Sequence, residues 1–249
     1  MQRQRVSTSQ HGQQMKLLFF VLTYLTVASA WEPWIPVRRD DASWMARFES
    51  NINHTRSNAA NINVIFYGDS ITEGWAITAP QLWNQHFAPL GAANYGIGGD
   101  LVQNLLWRVM NGELDDVNLR PRLVVLLIGT NKINLNYSLE SDIARGISTV
   151  VEEIRRRLPG TRVLVLGVLP RNDATWTDYV DRINGFARGV DDGVNVRFLN
   201  MKDAFFNTAT RQLFFELYRG GGDLLHLSLA GYNRWQQTMN PLFQQMMNP

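Results

Sequence analysis

Two stretches of almost unbroken apolar sequence, RLVVLLIG (Arg122 to Gly129) and RVLVLGVLP (Arg162 to Pro170), limit what this chain can become. A strand with one wet face alternates apolar and polar residues. A strand that is apolar at nearly every position is covered on both faces, as central strands of parallel sheets are. Between the two runs, Ser138 to Leu158 sets Ile143, Ile147, Val150, Val151 and Ile154 on one stripe of a helix that Pro159-Gly160 stops. Strand, amphipathic helix, strand is a right-handed βαβ unit. The pattern repeats. Strands are expected at Asn63 to Tyr67, Ala92 to Tyr95 and Asn195 to Asn200, and helices at Asp41 to Asn53, Asp100 to Met110, Thr175 to Val190 and Ser228 to Met247. The expectation is an α/β fold of three layers, a mainly parallel five-stranded sheet between helices.

The amino terminus is a separate object. Arg3, Arg5 and Lys16 precede the apolar run Leu17 to Val27, which ends in Ala28-Ser29-Ala30. A basic start, a short apolar core and an A-x-A exit make a secretory signal peptide cut after Ala30. The run is too short for the roughly 20 apolar residues that span a bilayer, so no stable membrane span is expected, with an uncleaved interfacial anchor as the competing reading. The chain then divides into the signal at 1–30, an extension and first helix at 31–60, and the main domain at 61–249, and the expected destination is extracellular. Removing the signal takes away three basic residues and no acidic ones. The whole-chain balance of 24 Lys and Arg against 22 Asp and Glu becomes 21 against 22.

That balance leaves no basic face for nucleic acid, and Arg155-Arg156-Arg157 reads as the solvated end of a helix whose dipole suits cations. There are no cysteines, so disulfides and thiolate metal sites are excluded. The histidines left after the leader are His54, His86 and His226. Asn53-His54-Thr55 and Asn136-Tyr137-Ser138 are glycosylation sequons.

In open parallel sheets, ligands sit outside the carboxyl ends of the strands. Three small or polar turns share that address: Ser70 after the first strand, Gly98-Gly99 after the second and Thr130-Asn131 after the third. Ser70, within VIFYGDSITEGW, has two readings. Ser70-Ile71-Thr72-Glu73 fits a capping box, in which the serine only starts a helix. The same serine at a strand end could be a nucleophile, although the G-x-S-x-G elbow is not met because Thr72 stands where its last glycine belongs. His226, in GGGDLLHLS, is either an incidental loop histidine or a base oriented by Asp223 three residues earlier, with Ser228 capping the last helix. Gly99 is a turn glycine or a backbone donor to negative charge. Asn131 caps a turn or offers its amide to an oxyanion. Leu101 occupies the third glycine position of a dinucleotide fingerprint, and no Walker motif exists.

Taken in order, YGDSITEG, YGIGGD, IGTNK and DLLHLS resemble the four blocks of the SGNH (GDSL-like) hydrolase superfamily, and they span Ile65 to Ser228. The run NYGIGGDLVQNLLWRVMNGEL is similar to the catalytic subunits of platelet-activating-factor acetylhydrolases. The resemblance implies a flavodoxin-like three-layer fold. It also implies Ser70 as nucleophile, His226 as base, Asp223 as its orienter, and an oxyanion hole from the N–H groups of Ser70 and Gly99 with the Asn131 amide. The implied chemistry is a serine esterase using an acyl-enzyme, with neither metal nor cofactor. Its partner would be a short-chain, above all acetyl, ester of a carbohydrate or lipid. Ile71 replaces the leucine of the family signature, and Lys132 stands where relatives carry a second asparagine. The other readings are a lysophospholipase or thioesterase with a longer acyl groove, and a non-catalytic carbohydrate-binding relic. Trp75, Trp83 and Trp107 either line a pocket or pack in the core. The sequence says nothing of oligomeric state.

Overall fold

The computed structural model describes residues 32–133 and 139–248. The leader with its cleavage point, the Lys132 side chain and the Asn136 sequon lie outside the described residues. Six longer helices are α1 (Ala42–Asn58), α2 (Ser70–Ile77), α3 (Val102–Met110), α4 (Glu140–Arg157), α5 (Ala174–Ala187) and α6 (Leu229–Met247). The strands β1 (Val64–Gly68), β2 (Ala92–Gly96), β3 (Leu123–Leu127), β4 (Arg162–Leu166) and β5 (Val196–Leu199) form one sheet in the order β2-β1-β3-β4-β5. Every neighbouring pair is parallel. The fold is therefore the expected α/β sandwich.

The apolar runs are consumed on two faces at once. Ile65, Tyr67, Val124, Leu126, Val163 and Val165 pack with α3, α4 and α5 in one core. Their sequence neighbours Val64, Phe66, Leu123, Val125, Leu127 and Leu164 pack with α2 and α6 in the other. Successive side chains of a strand point to opposite faces, so a strand sandwiched between two helix layers must be apolar throughout. Each such side chain contributes roughly 1.5–3 kcal/mol by leaving water. The expected stripe of α4 is buried in full. Trp75 is wholly buried against Tyr232, Trp235 and Phe87, and Trp83 packs on Phe66, so both belong to the core. Trp107 joins Trp44 and Phe48 in a third cluster that fastens α1.

One helix differs from expectation. Helix α1 does not end at Asn53 but runs to Asn58. Its second half buries polar residues: Asn51 donates to Glu113 Oε1, and Thr55 Oγ1 bonds the Tyr95 hydroxyl and the Glu113 carbonyl. An apolar stripe cannot reveal a helix that faces inward with amides and hydroxyls. The glycine-rich segment near the carboxyl end is a tight turn between two short strands. Strands β6 (Tyr218–Gly220) and β7 (Asp223–Leu227) make an antiparallel hairpin. Its turn passes through Gly220, Gly221 and Gly222 at φ of 84, 63 and 88°, the left-handed region that glycine enters without steric cost.

Candidate active site

Gly68, Gly96 and Leu127 stand level with one another in the sheet. The turns that follow β1, β2 and β3 therefore emerge side by side. The strand order reverses between β1 and β3, which is where a crevice opens in a doubly wound sheet. Ser70, Gly98-Gly99 and Asn131 all leave the sheet there.

The first turn is tight because Gly68 has no side chain. A Cβ there would fall on the Thr72 side chain and the Leu127 carbonyl. Asp69 follows in extended conformation (φ −101°, ψ −150°), and its Oδ1 accepts the Ile71 N–H at 2.9 Å. Glu73 N–H then closes the first helical bond on the Asp69 carbonyl at 2.9 Å. Asp69 is thus the N-cap, and the capping-box reading of Ser70 is corrected. Ser70 is the first helical residue. Its hydroxyl is not spent on the helix and lies 3.0 Å from His226 Nε2. Its backbone N–H, in the first turn, has no intrahelical acceptor.

His226 is delivered by β7 rather than by a loop. Asp223 Oδ1 accepts the backbone N–H groups of Leu225 (3.1 Å) and His226 (3.0 Å), and Oδ2 faces His226 Nδ1 at 2.9 Å. One carboxylate therefore shapes the hairpin and orients the ring. Burial pushes the Asp223 carboxyl up, but the His226 backbone and ring donors and the Leu225 N–H outweigh it and hold it below the usual range. An ionised carboxylate only accepts, so Nδ1 carries a proton and Nε2 is left to accept from the Ser70 hydroxyl. Ser228, as expected, caps α6: its Oγ accepts the Gly231 N–H at 3.2 Å.

Gly99 sits at φ 76°, in the left-handed region, and its N–H makes no hydrogen bond among the described residues. Asn131 Nδ2 donates to the Asp100 carbonyl at 3.0 Å. That fixes the plane of the amide, and its second N–H has no acceptor among the described residues. The structure joins Ser70, His226 and Asp223 by direct contact and sets Gly99 and Asn131 on the neighbouring turns at the same edge of the sheet. A hydroxyl, an imidazole held by a carboxylate, and donors at a helix start and a glycine turn can move a proton off oxygen while receiving negative charge. Of the sequons, Asn53 is exposed on α1, whereas Thr55 is buried. Among the described residues, no group of three or more His, Asp or Glu could hold a metal ion, and no helix is long and apolar enough to cross a membrane.

Beneath the site lie charges that the sequence reading missed. Arg108 is fully buried; it donates through Nε to Asp100 Oδ2 and through Nη1 to both Glu113 oxygens, each at 2.8 Å. Burial opposes its charge, but the Glu113 and Asp100 carboxylates override it and keep the guanidinium protonated. Trp44 Nε1 donates to the same Asp100 carboxylate at 2.6 Å. On the other side, buried Arg171 donates to the Thr130 carbonyl and hydroxyl, both at 3.2 Å. The available signal was a helix, α3, whose polar Gln103, Asn104 and Arg108 are buried beside its leucines.

Comparison with known proteins gives the family. The model of the GDSL-like Lipase/Acylhydrolase family matches residues 66–234. Platelet-activating factor acetylhydrolase IB subunit alpha1 of Bos taurus is 31% identical over 210 residues, 83% of this chain and 85% of its own length. The alpha2 subunit of Rattus norvegicus is 28% identical over 210 residues, covering 83% and 86%. A GDSL-like lipase from Bacteroides thetaiotaomicron superposes with a TM-score of 0.60 at 22% identity, covering 80% of this chain and 98% of that one, a likeness of fold.

Proposed function

This chain belongs to the GDSL-like lipase/acylhydrolase family, and from that premise we propose that it is an exported serine esterase that removes short acyl groups, acetyl above all, from a lipid or carbohydrate ester. The observation that carries the reading is the continuous contact from Asp223 through His226 to Ser70. Ser70 Oγ attacks the ester carbonyl while its proton passes to His226 Nε2. The carbonyl oxygen becomes an oxyanion between the N–H groups of Ser70 and Gly99 and the free N–H of Asn131. Collapse of the tetrahedral intermediate expels the alkoxide, which takes the proton back from His226. Water then repeats the sequence on the acyl-enzyme and releases the acid. These steps need neither metal nor cofactor.

The preference for acetyl is supported by the acetylhydrolase relatives, and the same relatives favour a lipid alcohol over a sugar. Export, cleavage after Ala30 and glycan at Asn53 and Asn136 rest on the sequence patterns of the leader and the sequons. The test compares the chain with its Ser70→Ala variant on p-nitrophenyl acetate, butyrate and octanoate. Turnover that is lost in the variant and falls with chain length supports the reading. Each additional buried CH₂ would favour a longer acyl chain by roughly 0.8 kcal/mol in an enzyme with a lipid groove, so rising rates would replace the short-acyl assignment with a long-chain one. Equal rates in both proteins would leave a binding protein.

A further inference from the structure

Arg39 lies outside residues 66–234, the stretch matched by the family model, yet its guanidinium rests on the turn that carries Gly99. The segment before α1 crosses α4 at Arg145 and Gly146 and then the start of α3 as a strap. Pro33 fills the space that a side chain at Gly146 would need, and Arg145 stacks on the Trp34 ring at 3.9 Å. Val37 is tied in both directions: its N–H donates to the Gln103 carbonyl (3.1 Å), and its carbonyl accepts from Asn104 Nδ2 (2.9 Å). The strap then places Arg39 so that Nη1 donates to the Gly98 carbonyl at 2.9 Å while Nε donates to Asp41 Oδ2, also at 2.9 Å. The same Nη1 is 3.6 Å from Asp100 Oδ1.

The Gly98 carbonyl and the Gly99 N–H belong to one peptide plane. In a trans peptide, the carbonyl oxygen and the amide hydrogen point in opposite directions. Holding the oxygen toward Arg39 therefore aims the Gly99 N–H away from it. A Gly-Gly unit has little intrinsic preference for either orientation of that plane, since glycine enters positive φ as readily as negative. The turn's own bond, from the Asp100 N–H to the Ile97 carbonyl at 3.2 Å, is compatible with either orientation of the central plane, since type I and type II turns share it, so a further restraint on the plane is needed. Donation to the carbonyl also polarises the peptide, which strengthens the N–H as a donor.

We propose that Arg39 is a positioning residue: by bonding the Gly98 carbonyl, it holds the Gly99 N–H at the place where the substrate oxyanion forms. The proposal rests on the serine-esterase reading. The role is one of orientation rather than of charge, because Asp41 already faces the guanidinium. A merely structural Arg39 would anchor the strap and affect stability alone.

The experiment measures kcat, KM and thermal midpoint for the wild type and for Arg39→Ala, Arg39→Lys, Arg38→Ala and Ser70→Ala on p-nitrophenyl acetate. Arg38 neighbours Arg39 on the strap but, among the described residues, reaches only the Trp107 ring, at 6.0 Å, and Asp40. Loss of an oxyanion donor outright costs about 100- to 1,000-fold in kcat, so a misaimed donor in Arg39→Ala is expected to lose about 10- to 100-fold with KM changed less than about twofold. Added guanidinium should restore part of that rate. Arg39→Lys, which keeps the charge but lacks the fork that spans Gly98 and Asp41, should fall between the two. Arg38→Ala should turn over like the wild type. An unchanged kcat in Arg39→Ala overturns the proposal. So does a loss that follows the thermal midpoint equally in Arg39→Ala and Arg39→Lys without guanidinium rescue. Wild-type turnover that survives Ser70→Ala removes the esterase reading itself, and the proposal with it, so the two failures are told apart by the Ser70 variant.

Discussion

Ser70 Oγ and His226 Nε2 meet at 3.0 Å, although one residue opens the helix behind β1 and the other stands on a hairpin before the last helix. The contact exists because Asp69, not Ser70, satisfies the helix start, and because Asp223 fixes which ring nitrogen is left to accept. That second condition can be tested without disturbing the fold. Asn at position 223 keeps the Oδ1 acceptor used by the backbone N–H groups of Leu225 and His226. Its amide would face Nδ1 as a donor, force the proton onto Nε2 and leave nothing to accept from Ser70. Asp223→Asn should therefore lower kcat by about 1,000- to 10,000-fold while leaving the thermal midpoint nearly unchanged. A variant within tenfold of the wild type would show that the carboxylate does not set the tautomer.

Asn131 has one amide hydrogen committed to the Asp100 carbonyl, and the other is the donor assigned to the oxyanion. Asn131→Ala should reduce kcat by about 100- to 1,000-fold with little effect on KM, since the donor acts only where charge develops. Asn131→Asp places a negative charge there and should be at least as damaging. Steady-state rates decide it: a loss confined to KM would mean that Asn131 grips the substrate and not the transition state.

Gly74 on α2 packs against Tyr232 on α6 so closely that an added Cβ would land on the Tyr232 hydroxyl. That hydroxyl donates at 2.7 Å to the carbonyl of Ile71, the residue that follows the nucleophile. Gly74→Ala, normally favourable within a helix by roughly 0.5–1 kcal/mol, should here destabilise by about 1–3 kcal/mol through overpacking. Tyr232→Phe should cost about 1 kcal/mol for the lost bond. The double variant should cost less than the sum of the singles, by at least about 0.5 kcal/mol, because removing the hydroxyl clears the space the methyl needs. Urea unfolding of the four proteins measures the coupling, and strict additivity would mean that α2 and α6 can simply move apart.

The sheet and the reactive groups were readable in the chain for the same reason: both follow from short-range pattern. Val64 to Tyr67, Leu123 to Leu127 and Val163 to Leu166 are apolar at every position because helices cover both faces, and ligand-bearing turns must follow strands of that kind. What supports the site was not readable. Arg108, Asp100 and Glu113 look like ordinary surface charges in sequence and become a buried cluster only when α1, α3 and β1 converge. The capping-box alternative for Ser70 misses by one residue, since Asp69 offers the same acceptor in the extended conformation that a cap requires. Arg39 gave no signal at all. Its importance is created by a peptide plane in a turn that lies far along the chain.

Asp69 also carries a prediction about pH. Its carboxyl is wholly buried beside the nucleophile; burial raises it to about 7, the Asp100 charge adds to the shift, and the Ile71 N–H and Arg171 oppose it. In the unfolded chain, an aspartate titrates near 3.9. Between those two values the folded protein binds a proton that the unfolded chain does not, so stability falls as pH rises through the window. The contribution is fully present below about pH 4 and is lost once pH has passed through 7. Asp69→Asn keeps a side-chain oxygen to cap α2 and removes this proton, whatever its uniform effect on stability beside Arg171. The thermal midpoint of the wild type should therefore drop more between pH 5 and pH 8 than that of Asp69→Asn. Parallel curves across that range would mean that Asp69 is ionised throughout, with Arg171 as its counter-ion.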